Sequence, residues 1–146
     1  MNGPEKGKTE EGFMTEAEIS ALDVACEVLT EACYGAAKAG GWHNDLATGE
    51  PRTAEQNDAL FPARIALCHS ELSEALEGHR KGLEDDKLPH RAMAEVELAD
   101  AVIRIFDLAG AMGYDLGGAV VEKLQYNAFR SDHQAAARVA AGGKKY

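Results

Sequence analysis

Apolar residues recur at three- and four-residue spacing in four stretches of this chain, and Gly, Pro, Asn and Asp separate the stretches. Thr15 to Glu18 has the form of a capping box, and Ile19, Leu22, Cys26, Leu29 and Cys33 follow on one helical face until Gly40-Gly41, which predicts a first helix over 15–39. A second helix is predicted over 57–81, with Pro62 in its early turns, an apolar stripe of Ile65, Cys68, Leu72 and Leu76, and Gly82 as its stop. The third runs from Pro89 to about Gly113. Its Val96, Leu98, Ala99, Val102, Ile103, Ile105 and Phe106 cover most of the circumference, the pattern of a buried helix. One narrow charged stripe crosses it, Glu97, Asp100, Arg104 and Asp107, which is either its solvent face or an internal polar site. A fourth helix over 116–130, capped by Asp115, carries Lys123, Asn127 and Arg130 on one side. The stretch GWHNDLATGEPR between the first two helices is a loop, and it holds the only tryptophan. No alternating strand, internal repeat or Gly-rich phosphate loop interrupts this pattern, so the fold class is all-α, most simply a small helical bundle.

The ends change the picture little. Residues 1–14 are polar and rich in Gly, Lys and Glu, the composition of a disordered tail, and 131–146 are Ala-rich with a Gly break, a marginal helix that frays. That leaves 15–130 as one domain, in keeping with 146 residues that are 45% hydrophobic. The charge of −10, from 15 basic and 25 acidic residues, opposes binding to a nucleic acid polymer or an anionic membrane. A small phosphate ligand stays compatible with it, because bound cations reverse the local field. No signal-peptide core and no run near the ~18 apolar residues of a membrane span occur, so a cytoplasmic protein is expected. Cys26, Cys33 and Cys68 are odd in number, lack C-x-x-C spacing and fall on apolar faces, as reduced core cysteines do.

The chemistry is concentrated in two acidic pairs, Glu71-x-x-Glu74 and Glu97-x-x-Asp100. Residues i and i+3 share a helix face, so each pair acts as a pincer, and a hairpin of the two helices would bring four carboxylates together. Without cations they would repel one another and suffer desolvation; hard divalent ions suit such all-oxygen donors. The stripe on the fourth helix offers the opposite charge: Lys123 and Arg130 can hold phosphate oxygens and Asn127 a phosphate or sugar oxygen. Trp42, His43 and Asn44 are candidates to stack on a base and read its edge. A ferritin-like di-iron centre also gathers carboxylates, but it requires Glu-x-x-His, and none of the five histidines has Glu three residues before it.

These residues resemble a known family. HSELSEALEGHRKG at 69–82, EVELADAVIRIFDLAGAMGYDL at 95–116 and EKLQYNAFR at 122–130 look like the MazG-like nucleoside triphosphate pyrophosphohydrolases of the all-α NTP pyrophosphatase superfamily. The likeness covers about residues 57–130, with the Trp42 loop a weaker match. It implies a four-helix MazG-like bundle completed by oligomerisation, as a homodimer or homotetramer. It also implies two or three Mg²⁺ (or Mn²⁺) ions held by Glu71, Glu74, Glu97 and Asp100. The implied reaction turns a nucleoside triphosphate into its monophosphate and pyrophosphate, with Glu74 the candidate to orient or deprotonate the attacking water and Lys123, Asn127 and Arg130 positioning phosphates and sugar. A large aromatic beside polar donors inclines the base towards a purine, such as that of dGTP. Two other readings keep the same residues: a hydrolase of another nucleotide phosphate anhydride, and a non-catalytic helical protein whose acidic stripes dock a basic partner.

Overall fold

The first helix starts where the capping box places it. Thr15 Oγ1 accepts from the Glu18 N–H at 3.2 Å while Glu18 Oε2 accepts from the Thr15 N–H at 2.7 Å. The computed structural model describes residues 13–144, so most of the tail expected over 1–14 lies outside the described residues. Among the described residues there are five α-helices, α1 Glu16–Ala39, α2 Ala54–Lys81, α3 Met93–Met112, α4 Leu116–Phe129 and the short α5 Ala135–Val139, with one 3-10 turn at Ser131–His133. No strand occurs among the described residues, so the class is all-α as expected. The chain divides into two compact units. One is Cys26–Asp115 and the other comprises the residues before Cys26 with those from Leu116 onward; the division falls within α1.

Two boundaries differ from expectation, each for a local reason. The second helix begins three residues early, because Thr53 and Gln56 form a capping box that the polar loop composition conceals. Pro89 does not begin α3. The buried Asp85 holds residues 85–88 in a tight turn, its Oδ1 accepting from the N–H groups of Lys87 (3.0 Å) and Leu88 (2.6 Å), and the Met93 N–H then donates to Leu83 O at 3.0 Å. Gly82 and Gly113 end α2 and α3 in the left-handed conformation, φ 63° and 67°.

The predicted stripes are buried only in part: Cys26 of α1 and Cys68 of α2 are buried as expected, whereas the larger aliphatics beside Cys68 are not. Between α2 and α3 the buried residues are Cys68, Glu71, Ala75 and Gly78 against Glu97, Ala101, Leu108 and Ala109. Small side chains let the helices approach closely, and at Gly78 an added Cβ would lie 2.9 Å from Met93 Cβ. The large aliphatics Leu72, Leu76, Leu98, Val102 and Ile105 point outward and are 43–59% exposed. Helix α3 is therefore not the buried helix its composition suggests. Its interior face is the charged stripe with the small residues, and its aliphatic face is open.

In the other unit α4 buries Gly117 and Val121. No helix of the described residues is long and apolar enough to cross a membrane. Cys26 and Cys68 are buried and Cys33 partly so, all as free thiols, and burial pushes the Cys33 and Cys68 thiols above the usual range.

Candidate metal centre

Glu71 belongs to the buried face of α2 because it follows Cys68 by three residues and precedes Ala75 by four, and Glu97 stands in the same relation to Ala101 on α3. The hairpin thus drives two carboxylates into one interface. With Asp100, one turn along α3, they place carboxylate oxygens within 4.8 Å of one another; Glu71 and Glu97 are buried and Asp100 is the most open. Glu74 is exposed and outside this group of three, yet its charge helps raise the Glu97 pKa, so it stands within electrostatic reach.

Two positive elements hold these acids together. Arg104 Nε donates to Glu71 Oε1 at 2.5 Å. Glu97 itself is pushed up to about 7, first by desolvation, then by its hydrogen bond with Glu71, and then by the charges of Glu74, Glu71 and Asp100. Near neutrality a proton and a guanidinium thus offset the charge that a divalent cation would offset, and three carboxylates are the donor set that hard cations take. The group could hold a metal ion.

A pH dependence follows. The fold raises Glu97 above its ordinary 4.5, so it favours the protonated form. The associated stability is complete below about 4.5 and lost as pH rises through about 7. Metal-free protein is expected to melt roughly 5 °C higher at pH 5.5 than at pH 8. A bound divalent cation would be expected to reverse the trend, because it favours ionised carboxylates. Thermal melts at both pH values, with EDTA and with Mg²⁺, check the two signs.

Asp100 also lines an open cavity of about 740 Å³ bordered by α1, α2, α3 and the 41–53 loop. Arg104 and Asp107 line it one and two turns further along α3. The charged stripe of α3 is therefore an internal polar site. The loop contributes Trp42, His43 and Arg52. It is folded back on itself by the Asn44–Pro51 bridge, by Arg52 Nη1 donating to Trp42 O at 2.6 Å, and by Asp45, whose carboxylate accepts from the N–H groups of Ala47 and Thr48 and is held below the usual range chiefly by those bonds.

Of the three loop residues chosen for base recognition, two line the cavity. Trp42 is 77% exposed at its solvent side and His43 is buried in its wall; Asn44 is not among the lining residues. Lys123, Asn127 and Arg130 lie on and just after α4, in the other unit, around Tyr126. Lys123 Nζ stands 4.6 Å and Arg130 Cζ 5.7 Å from the ring centroid, and Asn127 Oδ1 is buried without a hydrogen bond. Arg52 and Arg64 are cavity cations that sequence reasoning missed. Arg64 had a signal, since it precedes Glu71 by seven residues, two turns on the same face; Arg52 had none.

No protein-family model, curated protein or solved structure matches this chain.

Proposed function

We propose that this chain is a Mg²⁺- or Mn²⁺-dependent hydrolase that converts (deoxy)nucleoside triphosphates to monophosphate and pyrophosphate, a MazG-like pyrophosphohydrolase. The observation that carries this reading is the continuity of the carboxylate group with the cavity through Asp100, in a pocket that also presents three arginines and a tryptophan. Acids alone would suit many roles. Acids that open onto a cationic, partly apolar slot suit a ligand that is polyanionic at one end and a flat heterocycle at the other.

Glu71, Glu97 and Asp100 would hold the cation, which supplies neutralisation of phosphate charge and acidification of water. Glu74, exposed and within electrostatic reach of Glu97, would orient water or take its proton. Arg104, paired with Glu71, has a side chain 41% exposed to the cavity region and can pass to a phosphate oxygen when a cation takes over Glu71. Lys123, Asn127 and Arg130 carry a phosphate and sugar role by motif resemblance alone. The open aliphatic face of Leu72, Leu76, Leu98, Val102 and Ile105 supports the homodimer or homotetramer that the resemblance implies, since such side chains lose least when another apolar surface covers them.

The test is release of pyrophosphate and monophosphate from each of the eight common NTPs and dNTPs with Mg²⁺, Mn²⁺ or EDTA. Both products in equal amounts, only with metal, are expected. Orthophosphate with a diphosphate would move the cleavage to another anhydride, and no release from any triphosphate would overturn the reading.

A further inference from the structure

His43 is 94% buried by its 6% exposure, although it stands in a loop. Three side chains fix its ring. Tyr34 meets it edge-on with centroids 4.9 Å apart, Asp107 Oδ1 lies 2.6 Å from Nε2, and Arg64 Nη2 lies 3.2 Å from Nδ1. Arginine can only donate, so Nδ1 accepts and the ring proton sits on Nε2, which donates to Asp107. Arg64 Nη2 also donates to Asn57 Oδ1 at 3.0 Å, which leaves Nη1 buried with no hydrogen bond. The Asp107 side chain is a quarter exposed, and the oxygen that meets His43 is Oδ1, which keeps a second lone pair. Arg64, His43 and Asp107 all line the cavity. Among the lining residues, then, a guanidinium with a buried, unpaired Nη1 and a part-exposed carboxylate stand either side of a locked imidazole.

That pair defines its ligand. A phosphate would meet the Asp107 charge, so the ligand edge must be neutral, with an acceptor for Arg64 and donors for Asp107. The surrounding wall is apolar and made of small groups, Ala32, Ala36 and Ala37 of α1 with Ala63 and Leu67 of α2, which suits a planar ring. Asp107 is seven residues from Asp100, about 10 Å along the helix, comparable to the reach from an α-phosphate to the base of the same nucleotide. Uracil and thymine offer one N–H between two carbonyls. Adenine and cytosine offer one amino group beside a ring nitrogen. Guanine alone offers two adjacent donors, N1–H and the 2-amino group, beside a carbonyl acceptor that arginine prefers. We propose that the Arg64–His43–Asp107 chain is the base-reading element of this cavity and that the base it selects is guanine. The inference rests on the nucleotide reading of the cavity and names its substrate class.

Trp42 is the chain's one tryptophan and lines the cavity, so its emission reports on occupancy. Metal-free protein in EDTA would be titrated with GMP, IMP, XMP, AMP, CMP and UMP, with equilibrium dialysis as a second readout. GMP is expected to bind about 10-fold or more tighter than IMP, which lacks only the 2-amino group, and XMP, whose carbonyl faces the carboxylate, weaker still. In Asp107→Asn the amide can donate to that carbonyl, so GMP should lose about 10- to 100-fold and XMP should gain, while AMP, CMP and UMP stay as they were. Equal binding of GMP and IMP, equal weakening of every nucleotide by Asp107→Asn, or no binding by either readout would each overturn the inference. If the variant does not fold, the wild-type ratio of GMP to IMP decides alone. Because no metal or turnover enters this experiment, guanine preference without pyrophosphate release would sink the hydrolase reading and leave the base assignment standing.

Discussion

Glu97→Gln is expected to raise the melting temperature of the metal-free protein at pH 8 and, on the proposed function, to abolish the stabilisation by Mg²⁺ and the pyrophosphate release which that function implies. Glu97 is buried, hydrogen-bonded with Glu71 and surrounded by Glu74 and Asp100, so its ionised form at pH 8 opposes three like charges in a desolvated site. Glutamine has the shape of the protonated acid and can donate to Glu71 as that acid does, but carries no charge at any pH. The variant should therefore melt at nearly the same temperature at pH 5.5 and pH 8, where wild type loses stability. The same change removes one anionic oxygen from the only group of three among the described residues whose donors lie close enough to share a cation. Turnover with Mg²⁺ should fall by roughly 10³-fold or more, the scale of losing a preorganised charge at a reacting phosphate. Retention of the Mg²⁺-induced rise in melting temperature would show that Glu97 is not a ligand. A fall in metal-free stability at pH 8 would show that the ionised Glu97 is not destabilising in this site.

These residues explain why the site was easier to read from the sequence than the packing around it. Acids at i and i+3 inside a helical pattern keep their relative position whatever the helix packs against, so Glu71, Glu97 and Asp100 could be brought together from spacing alone. The buried face could not. Hydrophobicity nominated Cys68, Leu72 and Leu76 for the core; Cys68 is buried, but Ala75 and Gly78 are buried where the two leucines are not, because small residues allow the helices to approach closely. An apolar stripe says that a face will be covered and does not say by what. The charged stripe of α3 left two options open, and the deciding fact is a contact with a loop 64 residues away in sequence, His43 to Asp107. Arg52 was invisible for the same reason: a lone arginine in a loop has no periodic partner, and only the folded loop shows that it lines the cavity, whereas Arg64 was legible two turns before Glu71 on the same helix face and was overlooked. Capping at Thr53 was legible from Thr-x-x-Gln but was masked by the polar run before it.

Gly110→Ala should destabilise the protein by about 2 kcal/mol, although alanine is the better helix former. An added Cβ at Gly110 would lie 2.6 Å from both Cβ and Cγ of Tyr34 and 2.9 Å from Cδ1. The near atom is the Tyr34 Cβ, which is fixed to the backbone of α1, so no rotamer change clears it and the helices must separate. Overpacking of this kind costs about 1–3 kcal/mol, occasionally more, and the helix-propensity gain of up to about 1 kcal/mol offsets only part. A melting temperature lower by roughly 5–10 °C is the expected reading. The site should suffer with it, since Tyr34 is the ring that abuts His43 and a shift of α1 moves the alanine wall of the cavity. Tyr34→Gly alone removes packing and should also destabilise. Once the Tyr34 Cβ is gone, however, the alanine at 110 has room, so the double variant should be no less stable than Tyr34→Gly by itself. Additive losses in that cycle would mean that the cost at Gly110 does not come from Tyr34, and that the close approach of α1 to α3 is not what requires a glycine there.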